Sequence, residues 1–493
     1  MTDLRRQLAG LAADAQPYGD AAEAIRGAQR RRRTRQALTA AAVAVAVAGT
    51  ATLTSQLTGM TNSMPPGDVP TTIYYRDGTI LARLDDSDAL SQPVALVVNH
   101  VLGEITAPGS PLAGQPWSAV RDGGYEIVTT LDSRAQAAIE GGVALMDGQP
   151  DHLQAAAVVV EPGTGRVLAY YGGADAAGFD YAGTYTNESG ELTGFGRHIP
   201  GGSFMVYTLA AALRAGYSLD SRWEWTPHIQ EGRLPEASQR DRGTCPDSPD
   251  SRGCSLLDSV RASLRTPLYD VTLSVGPAEV LAAAHDAGIR FIWNNEGKRI
   301  DLRAISPADA VGGPSNIHAY VGVGLFPVTV LDQANAMATF AAGGVRADAH
   351  FVVQVRRGGE TIYGETLPSP DDPHVFDPDH VADLTYALTR ESGQDDLAIK
   401  AGEWEFGADM LLNAQAWSVG YTSELAVAVW VGNKGAEQPL YDASGTPIYG
   451  AGLPTEILRQ IAATAQREMG LTPTPFPPPA FTGSDNPPGS YSG

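Results

Sequence analysis

The stretch Pro200-Gly201-Gly202-Ser203-Phe204-Met205-Val206-Tyr207 has the shape of an acyl-transfer site: a Pro-Gly turn, a small polar residue, then an apolar helix. A serine hydroxyl is a poor nucleophile until a neighbour takes its proton. A lysine three residues on, one helical turn away, lies on the same face and can take it. Ser203 has Val206 at that position. The chain's three lysines are Lys298, Lys400 and Lys434, and the residues three before them are Asn295, Leu397 and Val431. No Ser-x-x-Lys pair exists anywhere in the sequence. A GC-rich genome that favours Arg and Ala accounts for the low lysine total, but it does not excuse a position that needs an amine.

The elements around this stretch follow from periodicity. TTIYYRDGTILARL (71–84) alternates around Asp77-Gly78 and predicts a hairpin. YEIVTTLDSRAQAAIEGGVALM (125–146) predicts a strand, an N-cap at Asp132 or Ser133, and a helix. AAAVVVEPGTGRVLAYYGG (155–173) and FVVQVRRGGETIYGE (351–365) are hairpins, and AQAWSVGYTSELAVAVWVGN (414–433) is a pair of strands. Helices are predicted over 203–216, over 256–289 with breaks, over 328–344 and over 380–392, whereas 106–124 reads as irregular. Helices set between hairpins imply an α+β architecture, an antiparallel sheet covered by helices.

Seven of these stretches occur together in one order: TIYYRDGTILARL, YEIVTTLDSRAQ, VVVEPGTGRVLAYYGG, PGGSFMVYTLAAALRAGYSLDS, SVRASLRTPLYDVTLSVGP, QANAMATFAAGG and AWSVGYTSELAVAVWVG. From about 71 to 465 the chain resembles the transpeptidase part of a class A penicillin-binding protein of an actinobacterial type. The resemblance implies a serine β-lactamase-like fold, with a central antiparallel sheet flanked by helices. It also implies a substrate class, the D-Ala-D-Ala ends of peptidoglycan stem peptides, and acylation by β-lactams. Bifunctional members carry a glycosyltransferase domain before the transpeptidase. The interval between Leu57 and Tyr125 is too short for one, so that activity is not expected.

The family uses Ser-x-x-Lys, Ser-x-Asn and Lys-Thr-Gly. At the first motif the nucleophile position holds Gly202 and the base position Met205, a neutral thioether. Reading Ser203 as a slipped nucleophile turns the side chain about 100° around the helix, and a small buried residue is the better reading. The second motif matches Ser263-Leu264-Arg265, where a guanidinium that cannot accept a proton replaces Asn. Ser263 is expected to be a capping residue between helix and loop. The third matches Lys400-Ala401-Gly402-Glu403, with the hydroxyl lost and a negative charge added. Arg265 or Lys400 is expected to pair with Glu403 and close the former cleft.

Residues 30–35 read RRRRTR and are followed by 21 uncharged residues, Ala37 to Leu57. That length spans a hydrocarbon core of about 30 Å, and the preceding arginines keep the N-terminus inside. The rival is a cleaved signal peptide, with Ala46-Val-Ala48 as its cleavage site. The expected organisation is a cytoplasmic tail (1–36), a transmembrane anchor (37–57), a linker and small N-terminal region (58–124), the transpeptidase-like domain (125–470) and a disordered Pro-rich tail (471–493). Cys245 and Cys254, nine apart in a Pro/Asp/Ser loop, are too far apart for a C-x-x-C pair. Outside the cytoplasm they are expected to form a local disulfide, worth about 2–3 kcal/mol.

The net charge of −22 argues against nucleic acid as a partner. No cofactor and no metal are expected. The Asp371–His380 stretch has no metal-ligand spacing and is read as a solvated loop that caps the next helix through Asp379. Gly163-Thr164-Gly165 is a hairpin turn and no nucleotide loop. The function that follows is a non-catalytic scaffold or regulator of cell-wall assembly, with wall-synthesis proteins or stem peptides as partners. The alternatives are a residual transpeptidase or carboxypeptidase that binds penicillin, and a non-covalent sensor of muropeptides or β-lactams.

Overall fold

The computed structural model describes residues 69–85, 94–174, 179–194, 196–224, 245, 253–369, 373–407 and 409–486. The anticipated cytoplasmic tail and anchor, and residues 58–68 and 86–93 of the linker and N-terminal region, lie outside them. Among the described residues no helix is long and apolar enough to cross a membrane.

Ten strands build two sheets: β1 (Thr72–Tyr74), β2 (Ile80–Arg83), β3 (Tyr125–Thr129), β4 (Leu153–Val160), β5 (Val167–Tyr171), β6 (Val352–Arg357), β7 (Glu360–Gly364), β8 (Ala398–Phe406), β9 (Asp409–Tyr421) and β10 (Ala426–Asn433). The central sheet has the order β8-β9-β10-β4-β5 and is antiparallel throughout. The smaller sheet has the order β7-β6-β3-β1-β2, with one parallel pair, β1 on β3. The helices used below are α1 (Val94–Thr106), α2 (Ser133–Val143), α3 (Met205–Arg214), α4 (Arg265–Val275), α5 (Val330–Ala341), α6 (Pro378–Ser392) and α7 (Leu453–Met469).

Side-chain alternation divides the core between the two faces of the central sheet. On β4, Ala155, Ala157 and Val159 join Ile139 of α2 and Ile457 and Ile461 of α7. Ala156, Val158 and Val160 join the other cluster, with Phe204, Leu209 and Phe340. β10 repeats the division, with Val427, Val429 and Val431 on one side and Ala428 and Trp430 on the other. A sheet covered on both faces gives the near-continuous apolar runs seen in the sequence.

Several expectations need correction. The 85–105 region, read without an element, contains α1, and Trp117–Arg121 is a short helix inside the stretch read as irregular. No boundary falls at Tyr125: residues 69–486 belong to one compact unit, because β1 pairs with β3 in parallel. Of the two caps anticipated for α2, Asp132 is the one observed; it accepts from the Arg134 and Ala135 N–H groups. The cap of α6 is Asp377 rather than Asp379.

The Pro-rich tail is ordered through residue 486. Thr474 N–H donates to Glu424 (2.7 Å), and Phe476 packs on Tyr421. The Phe481 and Thr482 N–H groups donate to the buried Asp383 carboxylate at 2.6 and 2.7 Å. Proline and the residue before it are already restricted in the unfolded chain, so fixing such a run costs little entropy. Cys245 and Cys254 are joined by a disulfide.

Candidate functional site

Three segments meet at the N-terminus of α3. Pro200 leads into a 3-10 turn, Gly201–Phe204, which opens the helix. The edge strand β8 runs past it, and the Ala262–Leu264 link before α4 approaches from the third side. Only glycine fits at Gly201: its φ is +52°, and a Cβ there would lie 2.0 Å from the Glu403 carbonyl oxygen. A Cβ on Gly402 would lie 2.2 Å from the Ser203 nitrogen. Turn and strand therefore touch backbone to backbone.

A side chain at Gly202 would sit close to its neighbours. Its Cβ would sit 2.9 Å from Ser263 Oγ and 3.1 Å from the Ala401 carbonyl oxygen. Ser203 is fully buried. Its hydroxyl donates to the Pro200 carbonyl (2.9 Å) and accepts from Gln333 Nε2 (3.1 Å), while Gln333 Oε1 accepts from the Tyr207 hydroxyl. Met205 is fully buried in the main core cluster. The Ser203 hydroxyl thus both donates and accepts within the fold.

Lys400 lies on β8 with its ammonium fully buried. Nζ donates to Ser263 Oγ (2.7 Å) and to the Ala401 carbonyl (3.1 Å), and lies 2.9 and 3.1 Å from the two oxygens of Glu391 at the end of α6. Burial pushes the Glu391 carboxyl up from its ordinary range, while the adjacent Lys400 pulls it down. Glu391 also accepts from the Ala401 N–H at 2.9 Å. Ser263 follows the helix Leu256–Arg261 and closes it in the left-handed capping conformation: its φ is +52°, its N–H donates to the Val260 carbonyl (3.1 Å) and the Leu264 N–H donates to the Ser259 carbonyl (2.8 Å). That backbone turn leaves the Ser263 hydroxyl to serve Lys400.

Arg265 reaches the other end of β8. Its guanidinium donates to Glu405 (2.8 Å) and to the Glu403 carbonyl (3.3 Å), and covers the Trp404 ring at 4.7 Å. The Glu403 carboxylate accepts from the Gly450 N–H at 3.0 Å. The expected pairing with Glu403 is thus replaced by two others, Lys400 with Glu391 and Arg265 with Glu405. Strand alternation gives the reason for the first: Lys400 and Glu403 are three apart on one strand and face opposite sides.

The structure brings Gly202, Ser203, Ser263, Arg265, Lys400, Ala401, Gly402 and Glu403 to one junction, with Met205 beneath it. Sequence reasoning missed Glu391, Glu405 and Gln333. Glu405 shares the face of Glu403 by alternation, so it was findable as a rival partner; Glu391 and Gln333 gave no local signal. Among the described residues no group of acidic, His or Cys side chains is placed to hold a metal ion.

Residues 155–449 match the family described as the penicillin-binding protein transpeptidase domain. The chain is 34% identical over 376 residues to penicillin-binding protein 1A of Mycobacterium tuberculosis, covering 73% of this chain and 42% of that protein. It is 33% identical over 347 residues to penicillin-binding protein 1A of Mycolicibacterium smegmatis, covering 68% and 40%. It therefore spans about two-fifths of the length of these relatives. The solved structure of penicillin-binding protein PonA1 from Mycobacterium tuberculosis is similar at a TM-score of 0.66 and 29% identity, over 80% of this chain and 96% of that one. The ceftriaxone acyl-enzyme of penicillin-binding protein A from the same organism shares the fold, at a TM-score of 0.56 and 19% identity over 81% and 98% of the two chains.

Proposed function

The chain belongs to the penicillin-binding protein transpeptidase family, and we propose that it is a pseudo-transpeptidase that has lost acyl transfer and keeps the fold as a scaffold or regulator of peptidoglycan assembly. The observation that carries this reading is at Gly202: the nucleophile position has no side chain, and Ser263 Oγ and the Ala401 carbonyl oxygen lie 2.9 and 3.1 Å from where its Cβ would be. The neighbouring groups support it. Ser203 is spent on Pro200 and Gln333, and Met205 offers no base. Lys400 and Arg265 are neutralised by Glu391 and Glu405, so neither cation is presented to an anionic stem peptide. In this reading the segment 37–57 anchors the protein, and the domain works outside the cytoplasm with wall-synthesis proteins or stem peptides.

One contact favours residual activity. Ser263 Oγ lies 2.7 Å from Lys400 Nζ, a hydroxyl beside an amine. A base needs a neutral amine, however, and the Glu391 carboxylate at 2.9 Å stabilises the ammonium. Incubation with a D-Ala-D-Ala-terminated pentapeptide tests the proposal: no free D-Ala is expected, and catalytic release of D-Ala would overturn it. A saturable, reversible thermal shift with wall fragments, without turnover, would favour the sensor reading.

A further inference from the structure

Every residue from Thr472 to Pro479 in the segment Thr472-Pro-Thr-Pro-Phe-Pro-Pro-Pro479 is either a proline or the residue before one. Each is restricted to extended or polyproline II backbone, so the segment is a stiff rod of roughly 25 Å. The burial pattern has the threefold period of that helix. Phe476, Pro479 and Thr482 are partly buried, while Pro475, Pro477, Pro478, Ala480 and Phe481 are exposed. One edge lies on the domain and two edges face solvent.

The rod is clamped at both ends. At one end, Thr474 N–H donates to Glu424 and its carbonyl accepts from Ser423. At the other, the fully buried Asp383 accepts from Phe481 N–H, Thr482 N–H and Thr482 Oγ1. Ser484 then pairs with the Gly216–Ser218 backbone. Between the clamps the chain carries no charge. Phe481 has φ +51°, which a bulky residue rarely adopts, and its ring is 61% exposed beside Tyr386. A strap that served only to close the domain would turn this ring inward. Here a strained backbone holds it out, at the end of an exposed proline edge.

We propose that the outward edge of residues 475–481, Pro475 and Pro478 followed by Phe481, is a docking ligand for a partner protein with an aromatic-lined, uncharged groove that reads polyproline II. The threefold spacing places Pro475 and Pro478 one turn apart, the arrangement such grooves read, and the clamps remove the ordering cost before binding. The proposal is independent of whether the site at Gly202 is empty.

The test is photo-crosslinking from the full chain in the cells that make it, with p-benzoylphenylalanine replacing Pro478. The expected result is one discrete protein adduct, competed by a synthetic peptide of residues 471–486 and reduced at least about tenfold by P475A. The captured protein, once purified, binds the unmodified full chain and loses binding when an aromatic residue of its groove is replaced. Adducts only to glycan or to a second copy of this chain, a captured protein without such a groove, or no adduct would overturn the proposal. P475A is expected to leave Tm within about 2 °C of wild type, whereas F476A, on the docked edge, lowers it further. An equal loss from both would make the outer edge structural and end the proposal.

Discussion

Glu391→Gln isolates the charge that holds Lys400. Glutamine keeps the shape and retains an acceptor for the Ala401 N–H, so the perturbation is the loss of one buried negative charge. At 2.9 Å and an effective dielectric constant of about 20, the Coulomb attraction is roughly 6 kcal/mol. Ser263 Oγ and the Ala401 carbonyl still accept from the ammonium, which reduces the net loss to about 3–5 kcal/mol, the usual cost of stranding a buried charge. Replacing both partners by apolar residues, as in K400M/E391L, removes the stranded charge and is expected to cost at least about 2 kcal/mol less than E391Q alone. Equilibrium urea unfolding at pH 7 measures both. A Glu391→Gln cost under about 1 kcal/mol, or a double variant no more stable than the single, would refute the view that Lys400 is a structural cation.

Gly202→Ser is expected to destabilise the fold by about 1–3 kcal/mol in urea unfolding, because its Cβ meets Ser263 Oγ at 2.9 Å and the Ala401 carbonyl oxygen at 3.1 Å. His198 is buried against Trp430, and burial pushes its pKa down to about 3, opposed by its bond to the Tyr181 carbonyl. Its folded state binds fewer protons than the unfolded chain below pH 6.5, so this group's contribution falls as pH drops from about 6.5 towards 3, at up to about 1.4 kcal/mol per unit. The stability gap between wild type and H198F should therefore narrow by about 2 kcal/mol between pH 7 and pH 5 in urea titrations. Replacing Cys245 and Cys254 together by serine should cost about 2–3 kcal/mol, read by the same unfolding assay under non-reducing conditions.

The central sheet was legible because β4 and β10 are apolar on both faces and their hairpin partners carry clear turns. Helix α1 was missed because VALVVNHVLGEIT is almost uniformly apolar and offers little polar face to set a period. The tail was misread for the opposite reason. Its composition matches a disordered segment, and what fixes it is distant: Asp383 on α6 and Glu424 beyond β9. At the site, the residue types on which the proposed loss of activity rests, Gly202, Met205 and Arg265, were plain from the sequence. The partners of the surviving charges were not, because Glu391 reaches Lys400 from another element and Glu405 outcompetes Glu403 only through the local path of β8.

The central claim is that no hydroxyl in this chain can be acylated at the family's site. Intact-mass measurement of the folded protein after prolonged exposure to excess benzylpenicillin tests it most directly, followed by peptide mapping across Ser203 and Ser263. The account predicts an unchanged mass and no modified peptide. A stoichiometric gain equal to one penicillin, mapped to either serine, would contradict it.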